Sequence, residues 1–357
     1  MSRRFISTLV CLAGLATVGA LSAEAADDSW TFDILARDGG VPKQIKWTNI
    51  PKDKITKPWN ICVLFPHMKN VYWVAGNYGM VQEAQRDHIS TQLFEAGGYQ
   101  NLSTQLNQFD NCIANKYDAI VIAAISADGV GPLVKKATAA GIPVIDYANG
   151  INEPAIAAHA TVSFVDLGRM TGKAVLGSSD AKKDVIGFFP GPEGANFSDD
   201  AVKGFMEVMK DSGAKVALTK RGDASLNVQL DLIDNALQAY PDINYIVAID
   251  PGAQGAITAL RNSRRLGEVK VASINIIPPV YDDILAGLTE GSGVDFTVIQ
   301  AKLAIDMAVR LLEKQDLPAH EAGPNPAFLT KANAKNYEWT TMFAPKGFAA
   351  TYSVQAK

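Results

Sequence analysis

The sequence predicts an α/β protein of two Rossmann-like lobes, each with a parallel sheet, joined by a hinge. From Asn60 onward, short apolar runs alternate with stretches whose apolar residues recur at three- and four-residue spacing. Such alternation produces parallel sheets wrapped by helices, and unbroken apolar strands suit sheets buried on both faces. The rhythm also repeats at larger scale, once from Cys62 to Ala148 and again from Val185 to Ile276. A chain of 357 residues exceeds what one core usually serves, so two lobes account for the length as well.

Taken in order, the chain opens M-S-R-R-F, runs apolar from Leu9 to Leu21 and reaches Ala23-Glu24-Ala25. A basic start, a short apolar stretch and an A-x-A signal read as a secretory leader cleaved after Ala25, which predicts export to the periplasm. The run is too short to span a bilayer, and no later segment is long enough to do so. Cys11 follows Val10 rather than a small residue, which argues against a lipid anchor, and Arg3-Arg4 is a weak twin-arginine signal. Removing Arg3, Arg4 and Glu24 from 33 basic and 37 acidic residues leaves 31 against 36. With no basic stripe, nucleic acid is not an expected partner.

Residues 26–57, with Trp30, Gly39-Gly40 and Trp47, are expected as an arm on the first lobe's surface. Strands are expected at Ile61–Phe65, Thr91–Glu95, Ala119–Ala123, Pro143–Tyr147 and Thr161–Phe164, then at Val185–Phe189, Lys215–Leu218, Tyr245–Ile249, Val269–Ile274 and Gly293–Val298. Residues 58–159 and 292–315 are assigned to the N-terminal lobe, and 160–291 and 316–357 to the C-terminal lobe. The Pro-, Gly- and Ala-rich tail from Pro318 is expected to cross the hinge and pack on the second lobe. After export two cysteines remain, Cys62 and Cys112. An even pair in an oxidising compartment reads as a disulfide, and two buried thiols are the alternative.

Catalytic patterns are thin. His67, His88, His159 and His320 have no metal-ligand spacing, there is no G-x-S-x-G elbow, and the cysteines form no C-x-x-C. The loop P-G-P-E-G-A-N-F-S-D-D after Phe189 lacks the lysine of a phosphate loop. Its helix amides are open to an anion or capped by Ser198 or Asp199. No enzyme, metal or cofactor is expected.

Candidate ligand residues lie instead at strand ends, where open α/β sheets bind small molecules. They are Tyr72 and Trp73 in a polar loop after the first strand, Tyr99 after E-A-G-G, Tyr147 and Asn149 after P-V-I-D, and Phe164 and Asp166 after T-V-S. Phe197, Asp250, Asn275 and Asp295 complete the set from the second half. Each has a bland alternative: Tyr72 and Trp73 as cover for the first helix, Tyr147 as core, Asp166 and Asp250 as helix caps.

The chain resembles type I periplasmic binding proteins, through K-Y-D-A-I-V-I at 116–122, G-I-P-V-I at 141–145, A-V-K-G-F at 201–205, Y-P-D-I at 240–243 and I-D-P-G-A-Q-G-A-I-T-A-L at 249–260. Within that group it is similar to the TorT branch, the periplasmic sensors for trimethylamine N-oxide. W-N-I-C-V-L-F-P-H-M-K-N-V-Y-W at 59–73, N-Y-G-M at 77–80, E-A-G-G-Y at 95–99 and Cys112 carry this likeness. It implies a non-enzymatic receptor that closes on trimethylamine N-oxide or a related methylated amine and acts with the sensor domain of a TorS-like histidine kinase. The alternative is a solute-binding protein of an ABC importer.

Sugar receptors of the group commonly use an Asp-Arg pair where this chain has Ala148-Asn149, and an arginine where it has Ala201. Without those forked donors sugar recognition is weakened. Aromatics with Asp166 or Asp295 suit a methylated ammonium head. Two positions depart from the TorT branch: Phe164 and Asp166 stand where it offers a larger aromatic, and N-I-I-P-P after Ser273 lacks its tyrosine.

Overall fold

Each sheet grows from the expected alternation and then recruits strands from outside it. The computed structural model describes residues 29–356; the expected leader, its cleavage point after Ala25 and residues 26–28 lie outside that range. The described chain starts with a hairpin, β1 (Thr31–Ala36) and β2 (Lys43–Thr48). The first lobe follows as β3 (Asn60–Phe65), α1 (Val71–Arg86), β4 (Ser90–Glu95), α2 (Leu102–Ala114), β5 (Ala119–Ile122), α3 (Gly131–Ala139), β6 (Val144–Tyr147) and β7 (Ala158–Ala160). The second comprises α4 (Phe164–Ser178), β8 (Val185–Gly191), α5 (Asn196–Met209), β9 (Lys215–Arg221), α6 (Leu226–Ala239), β10 (Tyr245–Ala248), α7 (Asp250–Asn262), β11 (Lys270–Ser273), α8 (Pro278–Ala286) and β12 (Gly291–Val294). Then come α9 (Thr297–Leu312), β13 (Glu321–Pro324), β14 (Ala327–Leu329), α10 (Trp339–Met342) and β15 (Ser353–Val354).

The first sheet runs β15-β4-β3-β5-β6-β7-β13-β1-β2 and the second β14-β12-β11-β10-β8-β9. Pairing is parallel throughout both cores, and antiparallel where β1, β2, β14 and β15 are added. In β3 and β5 successive side chains serve opposite faces. Ile61, Val63 and Val121 enter the main core, while Cys62, Leu64, Ile120 and Ile122 pack with Phe109 and Val134 on the other side. Cys62 and Cys112 are disulfide-bonded, with Cα atoms 6.1 Å apart, tying β3 to α2.

The described part of the expected arm, residues 29–57, is more than a surface arm. From Thr31 its hairpin extends the first sheet through β13, and fully buried Trp47 donates its indole N–H to Asp306 at 2.7 Å. Asp306 also takes the Ile50 amide at 2.5 Å and Arg310 Nε at 2.7 Å, so three donors hold one buried carboxylate. The tail likewise returns to the first lobe. Thr351 is clamped by Asn77 of α1 through bonds of 2.7 and 2.9 Å, and β15 pairs with β4. The expected lobe boundaries shift accordingly, with β12 in the second sheet and β13 and β15 in the first.

The chain passes between the sheets at Thr161–Ser163, at Asp295-Phe296 and at Asn325-Pro326, and a fourth time between β14 and β15. Two expected strands fail at the first two of these against helix starts: Thr161–Phe164 forms no strand, β7 lying just before it, and Gly293–Val298 stops at Val294. The Ser163 hydroxyl accepts the Asp166 amide at 3.1 Å, so α4 begins at Phe164. After β12, α9 begins at Thr297. Helices α4 and α5 approach closely because both carry glycine at the crossing. A Cβ on Gly168 would lie 2.3 Å from the Ala201 carbonyl oxygen, and one on Gly204 would lie 1.9 Å from that of Val165. This contact sets the spacing of Phe164 and Phe197 at the two helix starts.

Candidate ligand cavity between the lobes

One wall of the cavity is built on the start of α1. Asn70 Oδ1 accepts the Tyr72 amide at 3.0 Å, and this cap starts the helix at Val71. Tyr72 and Trp73 therefore occupy its first turn, where the sequence placed them in a loop. Their rings meet edge-to-face with centroids 5.0 Å apart. Tyr99 arrives from the loop after β4, where Gly97 and Gly98 adopt φ of 85° and 146° that other residues avoid. Asn149 holds it there, donating to the Tyr99 hydroxyl at 2.9 Å and to the Ala124 carbonyl at 2.8 Å.

The facing wall comes from the second lobe. Phe164 and Phe197 pack with centroids 5.5 Å apart, and Phe197 reaches Tyr99 at 5.9 Å across the cleft. Asp250 begins α7 and is almost fully buried. Its carboxylate accepts Asn70 Nδ2 from the opposite lobe at 2.7 Å and Asn275 Nδ2 from its own at 3.1 Å. Burial pushes the Asp250 pKa up to about 7; bonds from Asn70 and Asn275 oppose the rise, and nearby Asp295 adds to it. A further contact closes the cleft, from the Tyr99 amide to Asp223 Oδ2 at 2.8 Å.

Eight expected residues line this cavity: Tyr72, Trp73, Tyr99, Asn149, Phe164, Phe197, Asp250 and Asn275. Asp250 is the one carboxylate of the lining, which contains no lysine or arginine. The cavity is small, about 20 Å³, on a scale where one water needs roughly 10–15 Å³.

Three expected residues stand outside it. Tyr147 backs Trp73 at 6.1 Å and donates its hydroxyl to the Thr297 carbonyl at 3.3 Å. Asp295 lies behind Tyr72, accepting the tyrosine hydroxyl at 2.5 Å and Gln300 Nε2 at 3.0 Å, and burial raises its pKa. Asp166 is displaced furthest. In the first turn of α4 it faces solvent and pairs with Arg169 at 2.7 Å. Neither Ser198 nor Asp199 caps α5; both bind Arg221, at 3.0 and 2.8 Å.

The lining also includes Asn70, Ala224 and Ile249, which the sequence reading missed. Asn70 had a signal, a capping residue just before a helical period; the other two had none. Behind the first wall sits His67, buried with both ring nitrogens unpartnered and its pKa lowered to about 4 by burial. Its ring meets those of Trp73 and Tyr99 edge-on, at 6.3 and 5.8 Å. The arrangement offers apolar faces, one carboxylate and amide donors, a set suited to binding. Among the described residues no group of His, Cys, Asp and Glu could hold a metal ion, and no helix is long and apolar enough to cross a membrane.

Comparison with known proteins gives matches along most of the chain. The model of the family described as periplasmic binding protein domain matches residues 61–316. Periplasmic protein TorT of Escherichia coli (strain K12) is 28% identical over 302 residues, covering 85% of this chain and 86% of TorT. An ABC transporter solute-binding protein from Bradyrhizobium sp. BTAi1, solved with bound Bis-Tris, is 36% identical with a TM-score of 0.74, covering 90% of this chain and 98% of that one. The complex of the TorS sensor domain with TorT, at 24% identity and a TM-score of 0.72 over 82% of this chain and 99% of that one, shares the fold.

Proposed function

The chain belongs to the periplasmic binding protein domain family, and from that premise we propose that it is a receptor whose lobes close on trimethylamine N-oxide or a related methylated amine. One observation carries this reading. Five aromatic rings from both lobes surround a single carboxylate, and no cationic side chain shares the lining. Aromatic faces attract alkylated ammonium groups through the ring quadrupole, most strongly when water is excluded. Asp250 supplies the counter-charge, and the Tyr99 hydroxyl and Asn149 amide supply polar contacts for an oxygen substituent. A trimethylammonium head needs more room than the cavity offers, so binding requires the lobes to part slightly. The Bis-Tris in the Bradyrhizobium relative, a tertiary amine, supports the same ligand class.

We further propose that closure is read by the periplasmic sensor domain of a TorS-like histidine kinase, on the strength of the likeness to TorT. A ligand shifts such a partner only through its differential affinity for the open and closed forms. The higher identity to an ABC transporter solute-binding protein favours a second reading, delivery to an importer.

Thermal-shift and calorimetric titration with trimethylamine N-oxide, tetramethylammonium, choline, betaine and simple sugars tests the ligand. Stabilisation by an amine is expected, and stabilisation by sugars alone would sink the reading. A strain lacking the protein then separates the partners: loss of amine-dependent kinase output supports sensing, and loss of amine uptake supports import.

A further inference from the structure

A second cavity of about 330 Å³ adjoins the aromatic one, and Asn149, Phe164 and Phe197 line both. Its chemistry is different. Beyond the shared wall its side chains are mostly polar, including Arg37, Asp146, His159, Asp200 and Glu321.

Two of the three carboxylates there are already engaged. Asp146 accepts the Gly150 amide at 3.2 Å, the Ile151 amide at 3.0 Å and pairs with His159 Nδ1 at 2.8 Å. Glu321 takes Arg37 Nε at 2.8 Å. Asp200, half-buried on the first turns of α5, makes no hydrogen bond or ion pair with any described residue. Burial raises its pKa, opposed by the nearby charge of Lys203 and helped by that of Asp199.

The charges of the chamber limit what it can take. Arg37, whose Nη1 is buried without a partner, and His159 oppose a second cation beside them, while the three carboxylates Asp146, Asp200 and Glu321 oppose a carboxylate. A neutral arm that both donates and accepts hydrogen bonds meets neither objection, and a hydroxyl is the simplest such group.

We propose that the ligand is bipartite: an alkylated ammonium sits in the aromatic cavity, and a hydroxylated arm passes Phe164 and Phe197 into the polar chamber, where it donates to Asp200. This deepens the amine reading of the cavity and rests on it. The ligand class then narrows, within methylated amines, to those that carry a hydroxyalkyl arm.

Calorimetry on the exported chain with tetramethylammonium and choline tests it, since choline replaces one methyl by a hydroxyethyl arm. Choline is expected to bind about tenfold more tightly, the effect of one hydrogen bond to a charged acceptor. Asp200→Ala is expected to remove that advantage and leave tetramethylammonium within about twofold, which also corrects for general loss of negative charge. Betaine, whose arm ends in a carboxylate, is expected to fall below choline. Equal affinities for the two cations, or an Asp200→Ala loss shared by both, would overturn the proposal while leaving the amine cavity standing. Binding of neither cation nor trimethylamine N-oxide would instead remove the amine reading and the proposal with it.

Discussion

Asn70 of the first lobe donates its side-chain amide to Asp250 of the second at 2.7 Å, while its Oδ1 caps the helix that carries Tyr72 and Trp73. One side chain thus fixes the aromatic wall and joins it to the cavity's carboxylate. Replacing Asn70 by alanine removes a cap worth about 1 kcal/mol and leaves Asp250 Oδ2 without its donor from the opposite lobe. The variant is expected to melt lower and to bind a methylated amine about tenfold more weakly. Thermal melting and calorimetry check this; unchanged affinity would mean that the bond across the cleft contributes nothing to closure.

Asp250 is expected to set the pH dependence of binding. Its folded pKa of about 7 lies above the ordinary carboxylate value, so the empty fold favours the protonated acid. The sign follows by linkage: this group's contribution to stability is present at low pH and is lost as pH rises from about 4 through 7. A cationic ligand prefers the carboxylate, so its affinity should rise roughly tenfold per pH unit between 5 and 7 and level off above. Tetramethylammonium titrated at several pH values checks this. An affinity flat from pH 5 to 8 would show that Asp250 is not the counter-ion.

The legible part of this molecule was its alternating core. Uninterrupted apolar runs such as Ala119–Ile122 specify parallel strands buried on both faces, and their ends located most of the cavity. Helix starts were harder, because a single cap moves a boundary. Asn70 drew Tyr72 and Trp73 into α1, and Ser163 turned Phe164 from strand to helix while aiming Asp166 at solvent. Pairings distant in sequence left almost no local trace. Trp47 reaching Asp306 and Thr351 reaching Asn77 join segments more than 250 residues apart, and no local periodicity encodes such a partner.

Trp73→Ala tests the aromatic wall itself. The ring is nearly fully buried and packs on Phe65, Tyr72 and Tyr147, so its removal costs about 3–5 kcal/mol. The fold should survive with a lower melting temperature, since Trp73 packs on one part of the first lobe's core and the second lobe's parallel sheet is untouched. Ligand-induced stabilisation should vanish. A variant that stays folded by circular dichroism and still gains stability with amine would mean that Trp73 is packing alone.

The bond between Cys62 and Cys112 closes a loop across a sequence separation of 50 residues. Loop closure of that length constrains the unfolded chain by roughly 4 kcal/mol at most. A Cys62→Ala/Cys112→Ala variant is therefore expected to unfold at lower denaturant but to keep its ligand affinity, because the bridge lies on the face of the first sheet away from the cavity. Denaturant titration alongside calorimetry separates the two effects. A large loss of affinity without loss of stability would contradict this division.

His67 is a buried imidazole without a partner, held neutral with a pKa of about 4 behind Trp73 and Tyr99. The unfolded chain protonates it near 6.5, so between those values the unfolded state binds the extra proton and stability falls as pH drops. The full effect is roughly 3 kcal/mol from this one group. Carboxylates with raised pKa values, Asp250 and Asp87 among them, act in the opposite direction over overlapping ranges, so the parent's own profile mixes the two. The difference between parent and His67→Leu isolates the histidine. Leucine fills similar volume and removes two unsatisfied nitrogens, a replacement that is often neutral or stabilising. The variant should match or exceed the parent at pH 7 and gain on it steadily from pH 6.5 to 4. Parallel melting curves across that range would mean that His67 is protonated inside the fold, with a partner to receive the charge.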